Sequence, residues 1–305
     1  MAQTPAPAGS HQGGLPYALA AYGLWGFVPL FFKLLGSVPP AEVLAQRIIW
    51  SLPFCFLIMV FRRQIGEYLA ALKDWKVLRL LIVSAALIAV NWLVYIYSIF
   101  TDHVLAASLG YYLNPLVNVM LGMIFLGERL SRLQLVAVVI AGVGVAILLA
   151  GALDTLWISL TLAFSFAFYG LIRKIVPVGS LPGLAVETTA LLAPSLVLAA
   201  YYIWTGDGRG FGSDGSITLL LMAGGIVTAV PLLLFATAAR RMSYAALGFV
   251  QYLAPTVQFL LSLSVFGEPL KPVQLACFLL IWVSIAVFSF DMLRKMRAER
   301  VMPAA

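Results

Sequence analysis

YLNPLVNVML at 112–121 and YLAPTVQFLL at 252–261 lie 140 residues apart and carry the same pattern. Beyond them GERL at 127–130 meets GEPL at 267–270, and Gln134-Leu135 meets Gln274-Leu275. Ten of the twenty-four positions from 112 to 135 are identical across that offset, among them Tyr112/Tyr252, Pro115/Pro255 and both Gly-Glu pairs. Chance matching of Leu and Val does not supply such residues, and self-similarity at a fixed offset is the mark of an internal duplication.

Working outward, both segments sit in apolar runs, and the whole chain is built from such runs. Apolar residues make up 63% of it and charged residues 10%, against ~45–50% and ~25% in soluble domains. An α-helix needs ~20 apolar residues to cross the hydrocarbon core of a bilayer. Ten spans of that order are read at 15–35, 42–61, 77–100, 104–126, 133–151, 156–173, 184–203, 217–239, 244–266 and 273–292. None alternates like a barrel strand, and helices satisfy their own backbone groups in lipid. The predicted fold is therefore an all-α polytopic membrane protein of ten transmembrane helices. Five is odd, so a five-helix unit repeated once enters the membrane from opposite sides, and the two repeats are inverted. The expected organisation is a disordered cytoplasmic tail over 1–14, a first repeat over 15–151, a second over 156–292 and a basic cytoplasmic tail over 293–305.

The net charge of +7 resolves into an asymmetry between loops rather than a nucleic-acid surface. With both termini cytoplasmic, fifteen of the nineteen Lys and Arg residues fall on the inner side, as in Arg62, Arg63, Lys73, Arg129, Arg173, Lys174, Arg240 and Arg241. Lys33, Arg209 and Lys271 fall outside, and Arg47 lies within a span. That distribution obeys the positive-inside rule. No cleavable signal peptide is read before the first span. Cys55 and Cys277 each lie in an apolar run, with neither disulfide nor metal-ligand spacing, so no metal or cofactor is expected. A Walker-type loop and a Ser/His/Asp set are both absent. This excludes an ATP-driven pump on this chain and leaves no enzyme motif.

Polar residues inside spans are costly and tend to face a bundle interior or a wet cavity. Tyr111, Asn114 and Asn118 follow i, i+3, i+7 spacing on one face of the fourth span. Gln251 and Gln258 align with Tyr111 and Asn118 across the offset and flank Pro255 as those residues flank Pro115. With Trp25 of the first span and Asn91 and Tyr95 of the third, they are the expected substrate cavity; the competing role is interhelical hydrogen bonding. Pro115, Pro231 and Pro255 are expected helix-bend positions, since proline frees a carbonyl one turn back. Arg47 and Glu187 are read as the formal charges well inside spans, separated in depth and each lining one vestibule. Arg47 could attract an anionic group or snorkel to headgroups, and Glu187 could be a protonatable coupling group or a wet interfacial carboxylate. His103, Glu42, Lys33 and Asp102 fall at outer span ends, where solvated caps are expected, with His103 also a coupling candidate. Gly127-Glu128 and Gly267-Glu268 read as helix-to-turn elements.

The segments YGLWGFVPLFFKLLGSVPPAEVLAQRIIWS at 22–51, NWLVYIYS at 91–98, SLGYYLNPL at 108–116, FYGLIRK at 168–174 and LGFVQYLAPT at 247–256 resemble the RarD group of EamA-type permeases in the drug/metabolite transporter superfamily. The resemblance covers nearly the whole chain. It implies ten helices in inverted repeats, a bacterial inner-membrane location and a metabolite or drug permease, and the group's name implies a link with chloramphenicol sensitivity. This chain has Gln46 where such sequences often read His, and Ala106 where they often read Glu. The function expected is secondary transport of a small organic molecule by alternating access, as export or exchange. The energy source is left open between the substrate's own gradient, a proton and a counter-substrate. The alternatives are a membrane receptor or scaffold without flux, and a lipid flippase. The sequence leaves substrate identity and oligomeric state open.

Overall fold

A computed structural model describes residues 13–301 except 37, 102, 150–152, 207–209 and 266–271. The expectations for the tail up to residue 12, for Arg209, Asp102, Lys271 and Gly267-Glu268 fall outside the described residues. The rest is helical: α1 (Leu15–Leu34), α2 (Pro40–Phe61), α3 (Ile65–Lys73), α4 (Trp75–Phe100), α5 (Val104–Leu126), α6 (Arg132–Leu149), α7 (Leu156–Ile175), α8 (Ser180–Thr205), α9 (Gly215–Arg241), α10 (Tyr244–Gln251), α11 (Leu253–Ser264) and α12 (Pro272–Val301). Among the described residues nine spans are long and apolar enough to cross a membrane, one of them formed by α10 and α11 together, and the shorter apolar α6 is a tenth.

Local chemistry sets the boundaries. Gly127, at φ 65°, and Gly206, at φ 72°, end α5 and α8 in the left-handed region that glycine adopts without strain. Asp214 starts α9 by accepting from the backbone N–H of Ser216 at 2.7 Å and Ile217 at 3.1 Å. The Ser216 hydroxyl also donates to it, and these bonds hold its carboxyl below the usual range. Ser243 caps α10 through the N–H of Ala246 at 3.3 Å. The ninth span is divided at Tyr252, whose N–H turns back to Phe249 at 3.3 Å, because Pro255 has no N–H to give to the Gln251 carbonyl one turn earlier. Pro115 and Pro231 lie inside the unbroken helices α5 and α9. At the C-terminus α12 continues to Val301.

The helix directions gather Arg62, Lys73, Arg129, Lys174 and Arg240 at one end of the bundle, here the basic end, with Pro39, His103 and Asp214 at the other. The short amphipathic α3 lies across the basic end, turning Tyr68 and Ala71 inward, with the Tyr68 hydroxyl 3.1 Å from that of Thr189 on α8. It was not read from the sequence because nine residues are too few for a span. Apolar side chains on the outside face lipid, Trp204 at 90% exposure among them, while small residues let helices close up inside. At Gly225 an added Cβ would overlap the backbone of Trp50 and Ser51, so α9 and α2 touch there main chain to main chain.

Candidate functional site

Helices α1, α4, α5, α7, α9 and α10–α11 surround a cavity of about 380 Å³, within the ~300–1,000 Å³ of small-molecule sites. It extends from mid-bundle toward the end opposite the basic one. Trp25, Asn91, Tyr95, Tyr111, Gln251 and Gln258 all line it, together with Arg47 of α2 and Phe278 of α12. Each half of the chain therefore contributes to one wall.

Asn114 and Asn118 stand behind that wall, fully buried. The Asn114 amide donates to the Ala163 carbonyl at 2.6 Å, and the Asn118 amide donates to Gln251 Oε1 at 3.0 Å and Asn114 Oδ1 at 3.2 Å. They join α5 to α7 and to α10, the interhelical bonding that membrane helices use. Gln251 belongs to both settings, because its Oε1 also accepts from the Tyr22 hydroxyl at 3.3 Å. Asn91 is held by its amide at 2.9 Å from the Leu162 carbonyl and 3.0 Å from Ser165 Oγ. Gln258 is exposed and donates to the Trp25 carbonyl at 3.1 Å, tying α11 to α1. His103 lies outside the lining, at the start of α5, with Nδ1 2.8 Å from Thr101 Oγ1.

The cavity floor is aromatic. Trp25 and Phe166 meet at 5.8 Å between ring centroids, Phe166 and Phe235 at 5.2 Å, and Phe235 stacks on Tyr169 at 5.9 Å. Below this floor the basic end is sealed by polar contacts, those of Glu128 joining the two halves and the others lying within the second half. Glu128 accepts from the N–H of Tyr244 at 2.5 Å and of Ala245 at 2.9 Å. Lys174 donates to the carbonyls of Ala239 at 2.9 Å and Met242 at 2.6 Å. The Tyr244 hydroxyl donates to the Ala167 carbonyl at 2.5 Å. Glu128 is thus more than a turn element, since its carboxylate caps the first turn of α10 from across the bundle.

Charges within the spans are more numerous than the sequence reading held. Arg173, expected on the inner surface, is wholly buried 3.6 Å from Glu187, itself 2% exposed. Ser84 donates to Glu187 at 2.6 Å, and Arg173 also donates to the Ser180 carbonyl at 2.8 Å. Glu187 and Tyr169 border a second space of about 20 Å³, room for one water, which shares Ile88, Trp92, Thr228 and Leu232 with the main cavity. Glu42, expected as a solvated cap, is 2% exposed and accepts from the N–H of Gly210 at 3.1 Å and Phe211 at 2.9 Å. A returning loop covers it, which no local spacing reveals. Arg47 lies apart from these pairs. Its Nε donates to Thr228 Oγ1 at 2.7 Å, and its guanidinium lies 5.3 Å from the Phe32 ring centre and 5.5 Å from that of Trp92. Thr228 is not among the residues expected from the sequence; its signal is a mid-span hydroxyl one turn before Pro231 in an apolar span.

Comparison with known proteins agrees with this architecture. Residues 12–150 match the model of the EamA-like transporter family. An uncharacterized transporter of Pseudomonas aeruginosa is 44% identical over 93% of this chain and 95% of its own length. Protein RarD of Escherichia coli K12 is 44% identical over 91% of this chain and 94% of its own. One protein crystal structure covers 92% of this chain and 99% of its own with a TM-score of 0.71 at 19% identity, a likeness of fold alone.

Proposed function

The chain belongs to the EamA-like transporter family, and from that premise we propose that it moves a small organic molecule across the bacterial inner membrane by alternating access. It works without ATP, as an exporter or exchanger, and both termini face the cytoplasm. The observation that carries this reading is one cavity walled by both halves, reaching toward one end while the other is sealed beneath an aromatic floor. With the basic end cytoplasmic, this is the outward-facing arrangement.

The inverted duplication draws support from the packing itself. The fourth span packs on the sixth as the ninth packs on the first, and the third on the sixth as the eighth on the first. The second span meets the eighth as the seventh meets the third. Pairs that exchange into one another under a two-fold relation let the seal move from one end to the other while the midplane site stays in place.

The test is a thermal-shift screen of the purified protein against a metabolite library, because a ligand that binds the folded state raises its apparent stability, followed by counterflow of the hit in proteoliposomes. Saturable, substrate-specific counterflow is expected. Binding without flux would instead establish a receptor, and flux of labelled phospholipid alone would establish a flippase.

A further inference from the structure

We infer that the cavity selects organic monoanions bearing an aromatic or planar apolar body and no positive charge. This rests on the cavity being the substrate site. Among the described residues of the lining Arg47 supplies the only formal charge, and none of them is a carboxylate. Among the described residues Arg47 has no ion-pair partner within 4.0 Å, Glu187 being paired with the buried Arg173 instead. Its hydrogen bond to Thr228 uses Nε, and among the described residues Nη1 and Nη2 have no hydrogen bond. A cation at membrane depth without a counter-charge is costly. The rings of Phe32 and Trp92 at 5.3 and 5.5 Å offset part of that, at ~0.5–2 kcal/mol for such contacts.

What remains open on this guanidinium is its planar fork, which matches a carboxylate or similar anion in bidentate fashion. Thr228 is the positioning residue, fixing the guanidinium against α9. Tyr95 and Tyr111, whose rings meet at 5.9 Å, bring phenolic hydroxyls to the same lining. Trp25, Phe166, Phe259 and Phe278 supply apolar faces for the body of the ligand. An ammonium group finds no carboxylate among the described lining residues to receive it, so zwitterions and amines are disfavoured.

The experiment uses the full-length purified protein and reads thermal midpoint and tryptophan fluorescence against 3-phenylpropionate, 3-phenylpropionamide, phenylalanine and 3-phenylpropylamine. The carboxylate should bind at least tenfold more tightly than the amide, phenylalanine more weakly than the carboxylate, and the amine not at all. Arg47→Gln should bring the carboxylate down to the amide's affinity, and Arg47→Lys should keep part of the preference. The wild-type ranking stands by itself should Arg47→Gln fail to fold. An amide that binds as well as the acid, a preference that survives Arg47→Gln, or binding of none of the four overturns the inference. Val28→Trp, which fills the cavity, separates the two failures. Amide and acid that bind alike but are lost in Val28→Trp leave the cavity as the site and remove only the anion preference. Binding that survives the filling removes the cavity itself.

Discussion

Replacing Glu187 with Gln leaves the buried Arg173 guanidinium facing a neutral amide, and breaking a buried pair by removing one partner costs about 3–5 kcal/mol. A lowered thermal midpoint is expected for Glu187→Gln, and a largely recovered one for Arg173→Met combined with Glu187→Met, since apolar replacement of a whole pair is often neutral. Counterflow by that double variant also separates two roles. Retained flux makes the pair structural, and flux that is lost while the fold recovers makes Glu187 a coupling group. Asn118 and Gln258, which align across the 140-residue offset, divide in the same manner. Gln258→Leu should cut transport at unchanged thermal midpoint, because Gln258 is exposed at the cavity. Asn118→Leu should lower the midpoint by the equivalent of ~0.6–2 kcal/mol, because its amide bridges α5 and α10. Equal transport in both variants contradicts the assignment of Gln258. At this scale the sequence was informative about residue type and poor about direction. The i, i+3, i+7 spacing put Tyr111, Asn114 and Asn118 on one face, yet a face is wide enough for Tyr111 to reach the cavity while both asparagines bond to α7 and α10.

Helix ends and crossings carry the next level. Glu128 supplies a charged acceptor to two N–H groups of α10, and charge-assisted bonds are roughly twice as strong as neutral ones. Glu128→Gln should loosen the basic end, measured as faster maleimide labelling of Ser243→Cys in a background lacking Cys55 and Cys277. Unchanged labelling would show that the seal lies elsewhere. At the α2–α9 crossing, Gly225→Leu should lower the thermal midpoint sharply, since its side chain meets the backbone of Trp50 and Ser51, whereas Gly142→Leu, where nothing lies within 4 Å of an added Cβ, should leave it near the wild-type value. Spans were legible from apolar length alone, and the break in the ninth from Pro255. Less was legible where partners come from another element. The Arg173–Glu187 pair joins α7 to α8, and Glu42 is covered by the loop at 210–211, contacts that neither hydropathy nor periodicity encodes.

For the molecule as a whole, the repeated pattern at 112–121 and 252–261, with its aligned prolines and tyrosines, is the sequence feature on which the proposed inverted duplication rests. The account built on it makes Glu128, Lys174 and Tyr244 one seal, and requires that seal to part in every transport cycle. An ideal Cβ at Gly122 lies 3.5 Å from the Ala245 nitrogen and 2.8 Å from Glu128 Oε2, so Gly122→Cys with Ala245→Cys spans the junction of the halves at the basic end while pushing the Glu128 carboxylate aside, and the reduced variant is its own reference. The direct measurement is counterflow of the screened ligand by that variant, in a background lacking Cys55 and Cys277, before and after oxidation. The account predicts that cross-linking abolishes flux and that reduction restores it; a cross-linked protein that transports at the reduced protein's rate contradicts alternating access through this cavity.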